Sequence, residues 1–256
     1  MVRHLVCVVL ASCLSGCEPP QDSPDGLPDA EPKPVSVAVP AATAEPARLA
    51  QTVKPAQPEP PLSQQAIDMV VGFEIISPRY YSAKLLRPIW PGGASGATIG
   101  VGYDLGHQIE SVIRADWQHH ARVDDLATAA GVVGDPARAV VIQLRDIETD
   151  FPLAEGVFSN STAPRYWLAT ARAFPGVDAL RPGARGALFS IAYNRGTAMA
   201  GTRRTEMREI RDRCVPEEDY QCIAEQILAM RRLWRGMDIE AGMARRREAE
   251  AALAVQ

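Results

Sequence analysis

Apolar residues recur at helical spacing through most of the chain after residue 62. Ile67, Val70 and Val71 lie three and four residues apart, which places them on one face of a helix predicted over residues 63–77. The dipeptide Ser77-Pro78 ends this helix, because proline restricts the residue before it. The same periodicity predicts seven later helices, over residues 108–121, 136–149, 164–174, 182–195, 203–213, 217–233 and 239–254.

Residues 79–106 break the helical pattern. Apolar Ile99, Val101 and Tyr103 alternate along this stretch, which also carries glycines at positions 92, 93, 96, 100, 102 and 106. Alternation next to glycine-rich turns is typical of strands joined by tight connections. The pattern therefore predicts an α+β fold that is mostly α, with one small β-hairpin or sheet after the first helix and a larger helical lobe.

One charged residue, Glu74, continues the apolar stripe of the first predicted helix, 24 residues before Thr98. Burial disfavours the charged form of a carboxyl group, and a protonated carboxyl is what a general acid needs. An alternative interpretation places Glu74 at the edge of the stripe with its tip in water. Spacing alone does not decide between a catalytic acid and a solvated side chain.

The first 17 residues have the pattern of an export signal, with Arg3 and His4 before an apolar stretch that runs from residue 5 to residue 14. The following Leu14-Ser-Gly-Cys17 resembles the lipobox of bacterial lipoproteins. That resemblance implies a lipid on Cys17 and a membrane anchor facing the periplasm, and Glu18 favours the outer membrane. An ordinary secretory signal remains the alternative.

Composition divides the rest of the chain into two parts. Residues 18–62 hold 12 of the 21 prolines and no aromatic residue, so we expect a disordered tether there. Residues 63–256 are expected to form one domain, with 23 basic and 24 acidic side chains. This near balance lacks the basic excess of a nucleic-acid-binding surface, and we expect a monomer with no nucleic-acid partner.

Few residues of the exported chain have metal-binding or redox chemistry. Cys214 and Cys222 are the cysteines that follow Cys17, and in an oxidising compartment they predict a disulfide, although a reduced pair stays possible. His119 and His120 lack a third ligand at suitable spacing, which favours a surface pair of histidines. The sequence therefore predicts neither a metal site nor a cofactor.

Four stretches in this order resemble the phage-type lysozymes of glycoside hydrolase family 24. Phe73-Glu74 followed by Tyr81 is similar to the catalytic glutamate and tyrosine of that family, and Thr98-Ile-Gly-Val-Gly102 to its hairpin motif. Ala187-Leu-Phe-Ser-Ile-Ala-Tyr-Asn-Arg-Gly196 is similar to its "ALVSFAFNVG" helix. Residues 242–250 are similar to its "GLxxRRxxE" signature. Together the four stretches span most of residues 63–256.

The resemblance implies a muramidase that cleaves the MurNAc-β-1,4-GlcNAc bonds of peptidoglycan strands. Glu74 would protonate the glycosidic oxygen, and the Thr98 hydroxyl would hold the attacking water. The residues expected to contact the sugar or to orient water are Tyr81, Ser95, Gly100, Gly102, Ser190 and Asn194. For Ser190 and Asn194, helix packing is an equal alternative. Arg245, Arg246 and Arg247 are expected to form a solvated face with Glu248 and Glu250.

The sequence departs from the family in its second acidic group. Members usually carry an aspartate or cysteine about six residues before the threonine, where this chain has Gly92, and no acidic residue lies between Glu74 and Thr98. Asp104 is the nearest candidate for a second carboxylate, with a turn residue as the alternative. Three hypotheses follow: a muramidase, a lytic transglycosylase that uses Glu74 alone, or a glycan-binding lipoprotein without activity.

Overall fold

The computed structural model describes residues 61–256, so the predictions of an export signal, a lipidated Cys17 and a proline-rich tether fall almost wholly outside the described residues. The described part is mostly helical and contains a two-stranded antiparallel sheet, which confirms the α+β, mostly α class. Leu62, assigned to the end of the tether, is buried against the helical core. The packed region therefore begins at least one residue before the predicted domain.

Eleven α-helices occur in residues 61–256. They are α1 (Gln64–Ile75), α2 (Pro78–Tyr80), α3 (Glu110–Asp116), α4 (Val123–Ala127), α5 (Ala137–Gln143), α6 (Phe151–Val157), α7 (Ala163–Ala173), α8 (Pro182–Arg195), α9 (Thr205–Glu209), α10 (Tyr220–Ala229) and α11 (Glu240–Ala254). Wider π-helical turns continue α2, α6 and α9, over Tyr81–Leu85, Phe158–Thr162 and Ile210–Cys214. Short 3-10 turns span Leu105–His107, Val177–Ala179, Thr202–Arg204 and Met230–Trp234.

Helix α1 forms as the apolar pattern predicts. The Ser63 hydroxyl accepts a hydrogen bond from the amide of Ala66, which caps the first turn. The predicted apolar stripe is buried, and it packs closely on α8: a Cβ at Gly186 would lie 2.5 Å from the Cβ of Ala66. This contact sets the position of α1 along α8. It therefore also sets the position of Glu74, which lies in the last turn of α1.

The predicted hairpin is present as β1 (Thr98–Ile99) and β2 (Tyr103–Asp104), with Thr98 opposite Asp104. Its connection contains Gly100 and Gly102, whose φ angles of 59° and 69° lie in the left-handed region that favours glycine. The Tyr193 hydroxyl donates a hydrogen bond of 3.0 Å to the carbonyl of Val101 in this connection. The hairpin is therefore tied at its tip to α8.

Helix α8 is the centre of the core. Eleven of its fourteen residues are buried, because α1, α7 and α11 all pack against it. A helix that is buried on every side carries apolar or small residues all round, as α8 does with Gly183, Ala184, Ala187 and Ile191. Its boundaries of 182 and 195 match the predicted ones.

Several regions differ from the sequence prediction, among them residues 78–85 and 123–127, which are helical although no helix was predicted there. Residues 151–162 form α6 and a π-helical turn where no helix was predicted, and α3 ends at Asp116 rather than at residue 121. The predicted surface pair of histidines is wrong for His120, which is buried with its Nε2 3.2 Å from the Glu148 carbonyl oxygen. Burial lowers the pKa of His120 below its usual value.

Among the helices of residues 61–256, none has the length and apolar character needed to cross a bilayer.

The predicted disulfide between Cys214 and Cys222 is present, and both cysteines are buried. It joins the π-helical turn after α9 to the first turn of α10, and it spans eight positions of sequence. Closing a loop of this length restricts the unfolded chain modestly, which in the chain-entropy model stabilises the fold by about 2–3 kcal/mol.

We predict that replacing both cysteines by alanine lowers the free energy of unfolding by about 2–3 kcal/mol, measured by denaturant titration. A reductant should lower the stability of the natural chain by a similar amount and leave the double variant unchanged. If the reductant has no effect on the natural chain, the bond does not contribute to stability.

Candidate active site

A cavity lies between the end of α1 and the hairpin. It is lined by Glu74, Leu85, Ile89, Thr98, Ile99, Gly100 and Gly102. Glu74 is the one ionisable side chain in this lining. The structure thus brings together four of the residues predicted for the site, one carboxyl group, one hydroxyl group and two glycines, in a wall that is otherwise apolar.

The two oxygens of Glu74 have different environments. Oε1 accepts a hydrogen bond of 2.8 Å from Nη1 of Arg246, and the Glu74 side chain is 9 % exposed. Oε2 faces the hairpin, since a Cβ built on Gly102 would lie 3.9 Å from it. One oxygen is therefore held by an arginine, and the other faces the bare backbone of the hairpin connection.

Arg246 belongs to a buried group of charges on α11. It also contacts Glu250 and the Ser190 hydroxyl, at 3.2 and 3.3 Å, while Arg247 donates a hydrogen bond of 2.8 Å to Glu250. Burial lowers the pKa of Arg246, but the charges of Glu74 and Glu250 outweigh it and raise this pKa above the ordinary value. The cation between the two carboxylates is therefore permanently charged.

The prediction of a solvated face over residues 245–247 is wrong for two of its three arginines. Arg246 is 5 % exposed and Arg247 is fully buried, as is Glu250, whereas Arg245 is exposed. The physical reason is that Glu74 and Glu250 supply the negative charges that make burial of the arginines tolerable.

Two residues expected to bind sugar, Ser190 and Asn194, join this buried group instead. The Ser190 hydroxyl donates a hydrogen bond of 2.5 Å to Glu250, and Asn194 Oδ1 accepts one of 3.1 Å from Arg247. Both residues are buried, with exposed fractions of 0 and 3 %. Their spacing of four on α8 serves packing against α11, which is the alternative that the sequence left open.

Tyr81 and Ser95, also expected at the sugar, lie in the interior. Tyr81 is 1 % exposed and donates a hydrogen bond of 2.8 Å to the Thr149 carbonyl, so its hydroxyl is occupied away from the cavity wall. Ser95 is fully buried, and its carbonyl accepts hydrogen bonds from the Trp90 indole and the Gly134 amide. Neither side chain lines the cavity around Glu74.

Asp104 has the turn role that was the alternative to catalysis. Its carboxylate accepts hydrogen bonds from the backbone amides of Gly96, Gly106 and His107, at 2.9 to 3.3 Å. Burial raises the pKa of Asp104, and the same three amides oppose that rise. Asp104 is not part of the cavity lining, so its geometry gives no support to a role as the base opposite Glu74.

Thr98 does lie in the cavity wall. It is 4 % exposed, and its hydroxyl is 3.5 Å from the carbonyl oxygen of Gly96, a long contact that leaves the Thr98 oxygen as an acceptor. Its backbone pairs with Asp104 of β2 on one side and with Ile89 on the other. A hydroxyl group on a backbone held in this way is suited to positioning a water molecule.

Sequence reasoning missed two tyrosines beside the cavity. Tyr193 is buried under the hairpin, and Tyr166 packs on it with the ring centroids 4.7 Å apart. Tyr166 is partly exposed, and burial with the charges of Glu74 and Asp104 raises its pKa to about 12. At neutral pH its phenol is therefore protonated and able to donate a hydrogen bond. In the sequence, the one indication that Tyr193 belongs to the site was its position in the motif over residues 187–196.

No known protein-family model matches this chain, and no curated protein matches it in sequence.

We predict that Glu250→Ala lowers the free energy of unfolding by about 3–5 kcal/mol, since it leaves Arg246 and Arg247 buried with less negative charge. The matched control is Glu248→Ala on the same helix. Glu248 is half exposed and pairs with Arg231 at the surface, so its loss should cost less than about 1 kcal/mol. Equal losses in denaturant titrations of the two variants would contradict the stabilising role of the buried group.

We also predict that Gly102→Ala perturbs the site beyond its effect on the backbone. A Cβ there would lie 3.0 Å from the Tyr193 hydroxyl and would face Glu74, at a φ of 69°. Gly131→Ala is the matched control, because Gly131 has a φ of 73° and open space where the alanine methyl would lie. Both should lose about 1–2 kcal/mol of stability from the left-handed backbone, measured by thermal unfolding.

Only Gly102→Ala should lose further stability, because its Cβ must also displace the Tyr193 hydroxyl. If the two variants lose the same stability, the hairpin connection has room for a side chain at this position.

Proposed function

We propose that this protein is a glycosidase of the bacterial cell wall, a muramidase that cleaves the MurNAc-β-1,4-GlcNAc bond of peptidoglycan with Glu74 as general acid. The observation that carries the proposal is the position of Glu74 in the cavity wall, with one oxygen held by Arg246 and the other facing the hairpin. A carboxyl group with one oxygen held in place and the other facing the hairpin is positioned to transfer a proton to a glycosidic oxygen.

In this mechanism the sugar chain lies along the hairpin connection, where Gly100 and Gly102 present no side chain. Protonated Glu74 donates its proton to the glycosidic oxygen as the bond to the anomeric carbon breaks. The resulting Glu74 carboxylate is stabilised by Arg246 at 2.8 Å. Water held by Thr98 then adds to the positively charged sugar carbon and releases one proton to the surrounding solvent.

A lytic transglycosylase is the second candidate function, and one observation favours it. The cavity lining contains no carboxyl group besides Glu74, and the oxygens of Asp104 are occupied by backbone amides. A transglycosylase needs no second carboxylate, because the 6-hydroxyl of the muramic sugar attacks the anomeric carbon. Glu74 then serves first as acid and afterwards as base.

In our proposal the protein acts at the cell wall. Anchoring through a lipid on Cys17 would hold the domain on the periplasmic side of a bacterial membrane, in our proposal the outer one, within reach of peptidoglycan. The intervening segment over residues 18–62 would set how far the domain extends from the membrane.

We predict that Glu74→Gln lowers the cleavage of purified peptidoglycan at least about 100-fold, because glutamine is isosteric but has no acidic proton. The measurement is the release of soluble fragments by the full chain. Asp68→Asn, an exposed substitution on the same helix, is the control and should retain full activity. Binding to the wall without cleavage by either the natural chain or the Glu74 variant would leave only the glycan-binding alternative.

The fragments released by the natural chain separate the two chemistries. New reducing ends identify a hydrolase, whereas 1,6-anhydro ends identify a transglycosylase. Mass spectrometry distinguishes them, because the anhydro product is lighter by one water molecule.

A further inference from the structure

His120 is a buried titratable side chain that the proposed mechanism does not use. It is 6 % exposed, and its ring packs edge-on against Trp117 with the ring centroids 6.1 Å apart. Its Nδ1 accepts a hydrogen bond of 3.0 Å from the Arg122 amide. Its Nε2 lies 3.2 Å from the Glu148 carbonyl oxygen and 3.3 Å from the Thr149 hydroxyl oxygen. Both ring nitrogens therefore have partners in the interior.

These contacts determine which form of the ring the fold accepts. A backbone amide can only donate, so Nδ1 opposite Arg122 carries no proton, and the neutral ring has its proton on Nε2, which donates to Glu148. Protonation in acid adds a proton at Nδ1. Two N–H donors would then face each other across the 3.0 Å that now joins Nδ1 to the Arg122 amide, and a buried hydrogen bond would be lost. The geometry fits the neutral imidazole and not the imidazolium.

The charges on the neighbouring segments do not offset a positive charge on the His120 ring. Burial lowers the pKa of His120, the charge of Arg122 adds to this effect, and the charge of Asp150 opposes it. The other charged or titratable residues on the segments that contact the ring are Asp116, bound by Arg165; His119, at the surface; Asp125, bound by Arg122; Asp146, beside Arg145; and Glu148, bound by Arg87.

The residues that His120 contacts are tied to the cavity wall. The Thr149 carbonyl accepts a hydrogen bond of 2.8 Å from the Tyr81 hydroxyl, and the Thr149 amide donates one of 2.8 Å to the Leu86 carbonyl. Leu86 directly follows Leu85, the last residue of a π-helical turn and part of the cavity lining. His120 is therefore connected through Thr149 to the chain that forms one wall of the cavity.

We propose that His120 is an acid-sensitive switch: its neutral ring holds the segment over residues 147–150 against the cavity wall, and protonation at Nδ1 releases that segment. The inference does not depend on the proposed function, because it concerns the packing behind the wall and not the chemistry in front of it.

The direction of the pH dependence follows from the burial of His120. The unfolded chain binds this proton at the ordinary histidine pKa of about 6.5, whereas the folded chain binds it only at a lower pH. The contribution of the neutral ring to stability is therefore complete above about pH 6.5. It decreases as the pH falls from there to the lowered pKa of the folded state.

The test compares the natural full chain with His120→Asn, whose side-chain oxygen can accept the Arg122 amide and does not titrate. Thermal unfolding is measured at about pH 7.5 and at about pH 5. We expect the midpoint of the natural chain to fall on acidification by at least about 2 °C more than that of the variant. The exchange rates of the Arg122 and Thr149 amides, corrected for the intrinsic effect of pH, should rise at least about tenfold in acid in the natural chain alone.

His119→Asn is the matched control, because His119 is the exposed neighbour of His120. This variant should keep the pH dependence of the natural chain. If His120→Asn does not fold, His120→Gln takes its place, since its amide nitrogen can donate to the Glu148 carbonyl as Nε2 does. An NMR titration of the histidine rings in the natural chain measures the pKa of His120 without any variant.

Three results would each overturn the switch. The first is a His120 ring that titrates at or above about pH 6.5 in the folded chain. The second is a His120 variant with the same acid effect on its unfolding midpoint as the natural chain. The third is protection of the Arg122 and Thr149 amides that acid leaves unchanged in the natural chain. None of these results bears on whether Glu74 acts on glycans, so the proposed function would stand or fall separately.

Discussion

The burial of Arg246 between Glu74 and Glu250 is the constraint on which the rest of the structure depends. A cation with so little exposure is tolerated only if its hydrogen bonds and its charge are both satisfied. Glu74 at the end of α1 and Glu250 on α11 supply the charge, and Ser190 on α8 supplies a further contact. Three helices that are distant in sequence are therefore held in one relative position by a single guanidinium group.

The same contact couples the candidate acid to the C-terminal helix. Glu74 and Arg246 are 172 positions apart, so the direction of the acid depends on how α11 docks against α8. Helix α11 also packs closely on α8 near the C-terminal end of α11, since a Cβ at Gly183 would collide with the Leu253 carbonyl oxygen. A change in how α11 docks would therefore move the arginine that holds Glu74.

Much of the scaffold follows from the sequence, because its signals are local. The apolar stripe of α1, the span of α8 and the glycine connection of the hairpin each depend on neighbouring residues. The burial of the charged residues, in contrast, does not follow from local signals. On α11, Arg246, Arg247 and Glu250 have the spacing of an exposed salt-bridged face, and only packing against α8 and Glu74 shows that they are inside. For the same reason Ser190 and Asn194 resembled sugar ligands although their partners lie on α11.

The geometry of the cavity limits which groups can act opposite Glu74. The sequence suggested Asp104 as the opposing carboxylate, but its oxygens accept hydrogen bonds from three backbone amides, which hold the turn after β2. In the cavity wall the polar group left beside Glu74 is the Thr98 hydroxyl, and the phenol of Tyr166, packed on Tyr193, stays protonated at neutral pH. Both can position an oxygen atom, and neither can take its proton. In the proposed mechanism Glu74 would therefore have to serve as both acid and base.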